Sequence, residues 1–530
     1  MARGEVYPRP GTLAEVLRAR AAETPERTGF IFLADGEDSE VRLSYADLDR
    51  RARAIAGMLQ ELGCAGQRAL ILSPPGLGFI ESFFGCLYAG AIAVPAVAPR
   101  PNRPPTALEN LVADAQPKFV LGPAALRHEL ESRFGDSQSL WSRHWLDSEG
   151  IDPAAADAWR QPDLAAHTLA FLQYTSGSTA LPKGVKVSHG NLLANVRVIS
   201  ECFQHPPEEN AVGWLPPYHD MGLIGMIVTP VCIGATSVLM SPMAFLQRPV
   251  RWLQAISKYR AASSGGPTFA YDLCVRRIGP EQRRSLDLGN WSLAFVGSEP
   301  VRAETLDAFA QAFEPCGFRR QAFAPCYGLA EGTLFVSGVP RGTAPLTRPF
   351  SRKSLERGGV AAPSAHNGEA RWLVGCGATW GDVRVRIVNP ETGRECPSHT
   401  VGEIWVCGSS VAKGYWNRPE ATRETFRARL RGDFQVEFLR TGDLGFVSEG
   451  ELFITGRRKG LIIIDGRNHD PHDIETTVEQ SHDLVRPGGC AAFAVHVHAQ
   501  ERLAVVAEVE RKALRAADGA AADDGRDSEA

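Results

Sequence analysis

Short apolar runs alternate with helical patterns through the first half of the chain, and this leaves few folds open. Ala69-Leu70-Ile71-Leu72 ends at Ser73-Pro74-Pro75-Gly76; a helix from about Phe79 to Tyr88 follows, then Ala91-Ile92-Ala93-Val94-Pro95. Phe119-Val120-Leu121, Thr236-Ser237-Val238-Leu239-Met240 and Leu293-Ala294-Phe295-Val296 repeat the theme. Apolar strands separated by helices predict βαβ units and mainly parallel sheets covered on both faces. From about Ala370 to Gly456 the pattern changes. Val383-Arg384-Val385-Arg386-Ile387-Val388 alternates, a turn follows at Asn389-Pro390-Glu391-Thr392-Gly393, and Glu403-Ile404-Trp405-Val406 and Glu451-Leu452-Phe453-Ile454 are further strands. This section predicts a small antiparallel β unit. Arg341 to Glu369, rich in Pro, Arg, Gly and Ser, is expected to be a loop or insertion. Residues 514 to 530 are almost wholly Ala, Asp, Gly, Arg and Glu and are expected to form a disordered tail.

With 530 residues the chain is long enough for several domains and a large core. Lys+Arg 57 against Asp+Glu 61 leaves a net charge of −4. No basic excess exists to hold a nucleic-acid backbone, so DNA and RNA are excluded as main partners while a nucleotide is not. Eleven thinly spread cysteines without a CxxC pair point to reduced, buried thiols of a cytoplasmic protein rather than to a disulfide framework or zinc ribbon. The N-terminal residues 1 to 12 contain no apolar signal-peptide core. Met221 to Met240 carries no charge, but Gly222, Gly225, Pro230 and Gly234 break it up. It is expected to form a buried helix, a turn and a buried strand, not a membrane anchor.

Five islands can carry chemistry. Tyr174-Thr175-Ser176-Gly177-Ser178-Thr179-Ala180-Leu181-Pro182-Lys183-Gly184-Val185 offers small residues, hydroxyl donors and a lysine, a combination suited to an anion. It is not a Walker A loop, since Gly184 stands where Ser or Thr would hold magnesium; an ordinary Ser/Thr-rich turn is the other reading. Pro216-Pro217-Tyr218-His219-Asp220 places a His–Asp pair beside aromatics, either to orient a substrate or to serve structure. Gly297-Ser298-Glu299-Pro300 follows a buried strand, at the strand end where open α/β sheets bind ligands. Tyr327-Gly328-Leu329-Ala330-Glu331-Gly332-Thr333 offers a stackable ring and, in Glu331, a carboxylate for a hard cation. Last come Thr441-Gly442-Asp443-Leu444-Gly445 and Gly456-Arg457-Arg458-Lys459-Gly460, where an Asp can hold ribose hydroxyls and an Arg phosphate or ribose.

In order and chemistry together, from about Leu13 to Glu510, these islands resemble the adenylate-forming superfamily of acyl-CoA synthetases, luciferases and nonribosomal adenylation domains. Ala96-Val97-Ala98-Pro99-Arg100-Pro101-Asn102-Arg103 and Gly466-Arg467-Asn468-His469-Asp470-Pro471-His472-Asp473-Ile474-Glu475 are similar to segments of its fatty acyl-AMP ligase branch, which also carries an insertion where Arg341 to Glu369 lies. The resemblance implies an α/β fold. A large N-terminal domain of two doubly wound sheets plus a small β unit would span 1–457, with a partial α+β C-terminal domain over 458–513 after a hinge near Lys459. It implies that ATP and a fatty acid give acyl-AMP and pyrophosphate, and that the acyl group passes to an acyl carrier protein. Coenzyme A would be a poor acceptor because the insertion restrains domain closure. An acyl-CoA synthetase of the same fold and a non-catalytic ATP or acyl-AMP binder are the alternatives.

Residue by residue, the resemblance implies that Thr175, Ser176, Gly177, Ser178, Thr179 and Lys183 hold the β- and γ-phosphates. Glu331 would help bind Mg²⁺. Tyr327 would stack on adenine, with Gly297, Ser298, Glu299 and Gly328 around it. Asp443 would hold the ribose, Arg457 the ribose or phosphate side, and His219 would orient the carboxylate. Met221 to Met240 with Phe269 and Tyr271 would wall the acyl tunnel. Two departures stand out. Gly460 replaces a usual acidic hinge residue, and the terminal lysine stretch of the family is missing: Lys512 is the only lysine after Lys459 and lacks that context. The C-terminal domain is therefore expected to be shortened.

Overall fold

The computed structural model describes residues 11–99, 104–135, 142–175, 182–206, 208–364, 369–460, 462–464, 467–482, 484–497 and 500–509. Ser176, Gly177, Ser178 and Thr179 of the expected phosphate loop, Arg100 to Arg103, Gly466, Lys512 and the expected tail lie outside them. The chain folds as two units. The first comprises 1–346, 374–386 and 405–441; the second comprises 347–373, 387–404 and 442–530.

The first unit is built on two sheets. One has six strands: β3 (Arg68–Ile71), β4 (Ile92–Pro95), β5 (Phe119–Gly122), β6 (His144–Asp147), β7 (Leu169–Thr175) and β8 (Lys183–Ser188), in the order β6-β5-β3-β4-β7-β8. All its pairings are parallel except β7 with β8. The other has nine strands: β1 (Thr28–Leu33), β2 (Glu40–Ser44), β9 (Asn210–Gly213), β10 (Thr236–Met240), β11 (Ser263–Gly266), β12 (Leu293–Val296), β13 (Phe323–Gly328), β14 (Phe335–Gly338) and β17 (Ala378–Thr379). Their order is β17-β14-β13-β12-β11-β9-β10-β1-β2, parallel from β13 to β1 with antiparallel strands at both edges.

Two helices, Tyr45–Glu61 and Leu77–Ala89, pack on each other between these sheets. The second is apolar nearly all round, as a helix covered on all sides must be. Its Phe83 meets Phe171 of β7 edge-on at 5.9 Å, while the Tyr45 hydroxyl donates to the Ala235 carbonyl beside β10 at 2.7 Å. Gly85 permits the crossing, since a Cβ there would lie 2.5 Å from the Ile55 side chain. On the nine-stranded sheet, Trp252, Tyr271, Trp291, Phe309 and Phe323 form a buried aromatic core with edge-to-face contacts. Tyr271, expected as a tunnel wall, is a member of that core, and its hydroxyl donates to the Phe295 carbonyl at 3.0 Å.

Met221 to Met240 resolves into a π-helix (Met221–Val228), a short α-helix (Thr229–Ile233), a left-handed Gly234 and β10. No helix among the described residues is long and apolar enough to cross a membrane. None of the eleven cysteines forms a disulfide; eight are buried and Cys326, Cys396 and Cys490 partly so.

The second unit includes β15 (Thr347–Ser351), which pairs with β16 (Ala370–Val374), and a short helix, Arg352–Glu356. The segment expected to be a loop or insertion thus holds a strand and a short helix. Phe350 is its anchor, 5.0 Å from Phe446 and 5.3 Å from Phe453; a single buried ring gives no periodicity to read. Strands β18 (Arg384–Val388) and β19 (Gly402–Cys407) precede β20 (Ala428–Leu430), β21 (Asp433–Ser448) and β22 (Glu451–Arg457). In the first unit β20 pairs antiparallel with β21, and in the second β21 pairs antiparallel with β22. Two more antiparallel pairs follow: β23 (Ile462–Ile464) with β24 (Arg467–His469), and β25 (Val485–Val497) with β26 (Gln500–Val509).

Candidate active site

Parallel order puts the loops that follow β9, β11, β12 and β13 at one edge of the nine-stranded sheet, their carboxyl end. This is the edge where open α/β sheets take ligands. Gly297 leaves β12 against β13, and a Cβ there would lie 2.9 Å from the Cys326 carbonyl oxygen. Gly328 is tighter still, with the Leu334 carbonyl oxygen 1.8 Å from the same virtual atom. Both glycines exist for close backbone approach. Ser298 holds φ +70°, a conformation costly for a residue with a Cβ, and its Oγ lies 3.9 Å from Met221 Sδ. Glu299 accepts the Phe269 N–H at 2.7 Å in the first turn of the helix Thr268–Arg277, where a carboxylate is favoured. Tyr327 is buried on β13 opposite Ser337.

His219 ends the loop after β9. Its Nδ1 lies 2.7 Å from Asp220 Oδ1, with 54% of the histidine side chain exposed against 12% of the aspartate. The hydrogen bond to Asp220 raises the imidazole above its ordinary range, outweighing the opposing effect of burial. The same Asp220 Oδ1 accepts the Met221 N–H at 2.7 Å and so caps the π-helix. The pair therefore serves structure and presents an exposed imidazole at once. Mid-protein π-turns are rare and concentrate at functional sites.

Thr175 and Lys183 are directly paired at the adjoining ends of the antiparallel strands β7 and β8. Segment 413–416 adds to the outer edge of β8. Lys186 N–H donates to the Gly414 carbonyl at 2.8 Å, Trp416 N–H to the Gly184 carbonyl at 2.7 Å, and Lys413 N–H to the Lys186 carbonyl at 2.9 Å. This sets the Tyr415 ring under Lys183, Nζ 5.0 Å from its centroid. The Tyr415 hydroxyl donates to Glu331 Oε1 at 2.7 Å. The lysine of the first island and the carboxylate of the fourth thus meet on one buried tyrosine. Burial and the Glu331 charge raise the Tyr415 phenol well above its usual range, so it stays a donor. On the other side of the hairpin, Tyr174 donates to Asp114 Oδ2 at 2.8 Å and Arg418 holds Asp114 Oδ1 at 2.7 Å.

In the second unit Asp443 and Arg457 face each other across β21 and β22, with Nε 2.8 Å from Oδ1. Asp443 is buried, whereas 77% of the Arg457 side chain is exposed. Nearby, Arg371 pairs with Asp470 at 2.9 Å and with Asp473 at 3.2 Å. These residues border a cavity of about 570 Å³ that Arg352, Arg458 and His469 also line.

The family model for AMP-binding enzymes matches residues 17–416, three quarters of the chain. The chain belongs to the AMP-binding enzyme family. It is 46% identical over 510 residues, 95% of this chain and 86% of the relative, to the medium-chain-fatty-acid–[acyl-carrier-protein] ligase JamA of Moorena producens. It is 39% identical to the long-chain-fatty-acid–AMP ligase FadD26 of Mycobacterium marinum, over 95% of this chain and 88% of that one. Among solved structures, a fatty acyl-adenylate ligase from L. pneumophila in complex with acyl adenylate and pyrophosphate matches with TM-score 0.83 and 41% identity, covering 96% of this chain and 89% of that one.

Of the residues expected to serve an AMP-binding enzyme, Lys183 and Glu331 share a partner. Gly297, Ser298, Glu299, Tyr327 and Gly328 gather on neighbouring strand ends, and His219 follows β9 on the same sheet. Asp443 and Arg457 hold each other in the second unit. Sequence reasoning missed Tyr415. Its only signal was Gly414-Tyr415-Trp416, an aromatic pair after a glycine of φ +117°. Among the described residues no group of three or more His, Cys, Asp or Glu could hold a metal. A single carboxylate at Glu331 fits Mg²⁺, which takes one or two protein carboxylates and draws its other ligands from phosphates and water.

Proposed function

We propose that this chain activates a fatty acid with ATP to fatty acyl-AMP, releasing pyrophosphate, and passes the acyl group to the phosphopantetheine thiol of an acyl carrier protein. A fatty carboxylate oxygen attacks the α-phosphorus, the bond to the β-phosphate bridging oxygen breaks, and pyrophosphate leaves with that electron pair. The carrier thiol then attacks the acyl carbon and expels AMP. Little covalent work falls to the protein, so positioning and charge stabilisation carry the rate. In this reading Lys183, Thr175 and the Ser176–Thr179 stretch hold the β- and γ-phosphates, and Glu331 holds Mg²⁺. Mg²⁺, when bound, neutralises phosphate oxygens. Tyr327 lies along adenine with Gly297, Ser298, Glu299 and Gly328 around it. Asp443 takes the ribose hydroxyls, Arg457 the ribose or phosphate side, and His219 the fatty carboxylate. Residues up to 457 serve as the nucleotide-binding part and those from 458 as the moving part, with Lys459 at the hinge. ATP and carrier protein as reactants make the cytoplasm the site of action.

The observation that carries this reading is the meeting of Lys183 and Glu331 on Tyr415, on elements adjoining a parallel-sheet ligand edge. The likeness to JamA supports the carrier-protein acceptor. The test is mass spectrometry of products after incubation with ATP, Mg²⁺ and a mixed fatty acid pool, with coenzyme A and holo carrier protein offered in turn. Acyl-AMP followed by acyl carrier protein is the expected outcome. Acyl-CoA as the main product would assign the chain to the synthetases instead, and nucleotide binding without turnover would make it a binding protein.

A further inference from the structure

Tyr415 touches two groups of opposite charge, the Lys183 ammonium and the Glu331 carboxylate. Lys183 and Glu331 would neutralise each other if they met, and neither would then be available to a phosphate or a cation. Between these two described residues no ion pair forms, and each engages a different part of the same tyrosine. The ammonium lies over the ring, an attraction that desolvation strengthens. The carboxylate accepts from the hydroxyl, a charge-assisted bond that fixes its rotamer.

The tyrosine itself is firmly held. Its backbone is bridged to Val185 of β8, its N–H donates to Thr422 Oγ1 at 2.9 Å, and its ring meets Phe426 edge-on at 5.1 Å. The segment leading to it is stitched to the Glu331 turn. Ala412 N–H donates to the Glu331 carbonyl at 2.9 Å, and the buried Thr333 hydroxyl donates to the Ser410 carbonyl at 2.5 Å. Thr333 holds φ +73° and ψ −57° there, a strained arrangement that persists only where its surroundings over-determine it. Asn191 adds donations to the Ser409 and Val411 carbonyls at 2.8 and 2.9 Å. Residues 409–416 therefore bridge β8 and the Glu331 turn, with Tyr415 as the piece that touches both Lys183 and Glu331.

We propose that Tyr415 is a positioning residue: its ring seats the Lys183 ammonium and its hydroxyl sets the Glu331 carboxylate, so that phosphate and Mg²⁺ meet two separated, pre-aimed charges. This rests on the proposed ATP-dependent function. The two halves of the role separate chemically. Y415F keeps the ring and loses the hydroxyl; Y415M fills a similar volume and loses both. The experiment is calorimetric titration of ATP into the full chain, once in EDTA and once across a Mg²⁺ series, with melting temperatures as a fold control. For Y415F, ATP affinity in EDTA should stay within about twofold of wild type, while the Mg²⁺ concentration that half-maximally tightens ATP binding rises about tenfold, the effect of one lost charge-assisted hydrogen bond. Y415M should show that shift and also a several-fold weaker affinity in EDTA. A merely structural tyrosine would weaken both conditions in proportion, and that outcome overturns the proposal, as does a Y415F protein with a wild-type Mg²⁺ response. If Y415M does not fold, Y415F alone decides. A wild-type chain that binds no ATP in either buffer overturns the ATP-dependent function and this role with it; normal wild-type binding with an unaltered Y415F overturns this role alone.

Discussion

The His219–Asp220 pair gives the candidate site a pH dependence whose sign follows from the structure. The hydrogen bond that the imidazole donates to Asp220 raises it, so the cation persists above the ordinary histidine range. Stability from the pair is fully present below the unfolded histidine pKa and is lost as pH rises through the raised folded value. If the cation orients the fatty carboxylate, the KM for fatty acid should be lowest on the acid side and rise through that same value. Asp220→Asn should move the rise to lower pH, and His219→Ala should abolish it; a profile unchanged in both variants would leave the pair a helix cap only. At Lys183, truncation to alanine removes a cation–π contact and the positive charge proposed to hold phosphate from a partly exposed strand end. ATP affinity should fall about 10- to 100-fold, as expected for a charge-assisted contact. Melting temperature should hardly change, because surface substitutions of this kind cost about 0.5 kcal/mol. Calorimetry with a melting curve checks both. Lys183 could be singled out as the end of a candidate anion loop because its neighbours in sequence are small and hydroxylic. Tyr415 was not, since its partner Glu331 lies 84 residues away.

Among the elements, the strand ends at Gly297 and Gly328 leave no room for a methyl group. Gly328→Ala puts a carbon where the Leu334 carbonyl oxygen already stands. A destabilisation of about 1–3 kcal/mol or more is expected, read by urea denaturation, whereas Gly342→Ala, with open space around it, should pay mainly for its φ of +76°. In the second unit, Arg371 reaches both Asp470 and Asp473, which precede and open the helix Pro471–Ser481. Arg371→Ala removes the guanidinium that bridges two largely buried carboxylates, leaving Arg352 at 3.7 Å from Asp473, and is expected to cost up to about 3 kcal/mol. Faster limited proteolysis within 471–481, relative to wild type, is the measurement. The strands at 69–72, 119–121, 236–240 and 293–296 were legible because each is an apolar run bounded by turn residues. The antiparallel edge pairings were not, because alternation marks a half-buried face without naming the neighbour. The strand and helix inside Arg341–Glu369 were illegible because polar and small residues dominate there and one phenylalanine supplies the anchor.

For the molecule as a whole, the 341–369 segment is where sequence and structure must be weighed together. Arg341 is no part of a free loop: it donates to Glu209 at 2.8 Å in a buried cluster with His205. A deletion should therefore begin after it. Replacing residues 347–369 with a short Gly/Ser bridge removes Phe350 from its contacts with Phe446 and Phe453, by itself a cost of about 3–5 kcal/mol. If the segment restrains domain movement, the shortened protein should still form acyl-AMP and should gain thioester activity with coenzyme A, measured by mass spectrometry. Adenylation retained with no gain would deny it that role.

By itself the sequence determined the parallel α/β class, the order of the five candidate islands and the resemblance they carry. These are local facts, because an apolar run, a glycine turn or a hydroxyl-rich loop is specified by neighbours within about ten residues. Only the tertiary structure decided which island meets which. The pairing of segment 413–416 with β8, and of Tyr415 with Lys183 and Glu331, depends on backbone hydrogen bonds between strands far apart in the chain. Such contacts gain nothing until loop closure has brought them together, and so they leave no periodic mark in the sequence.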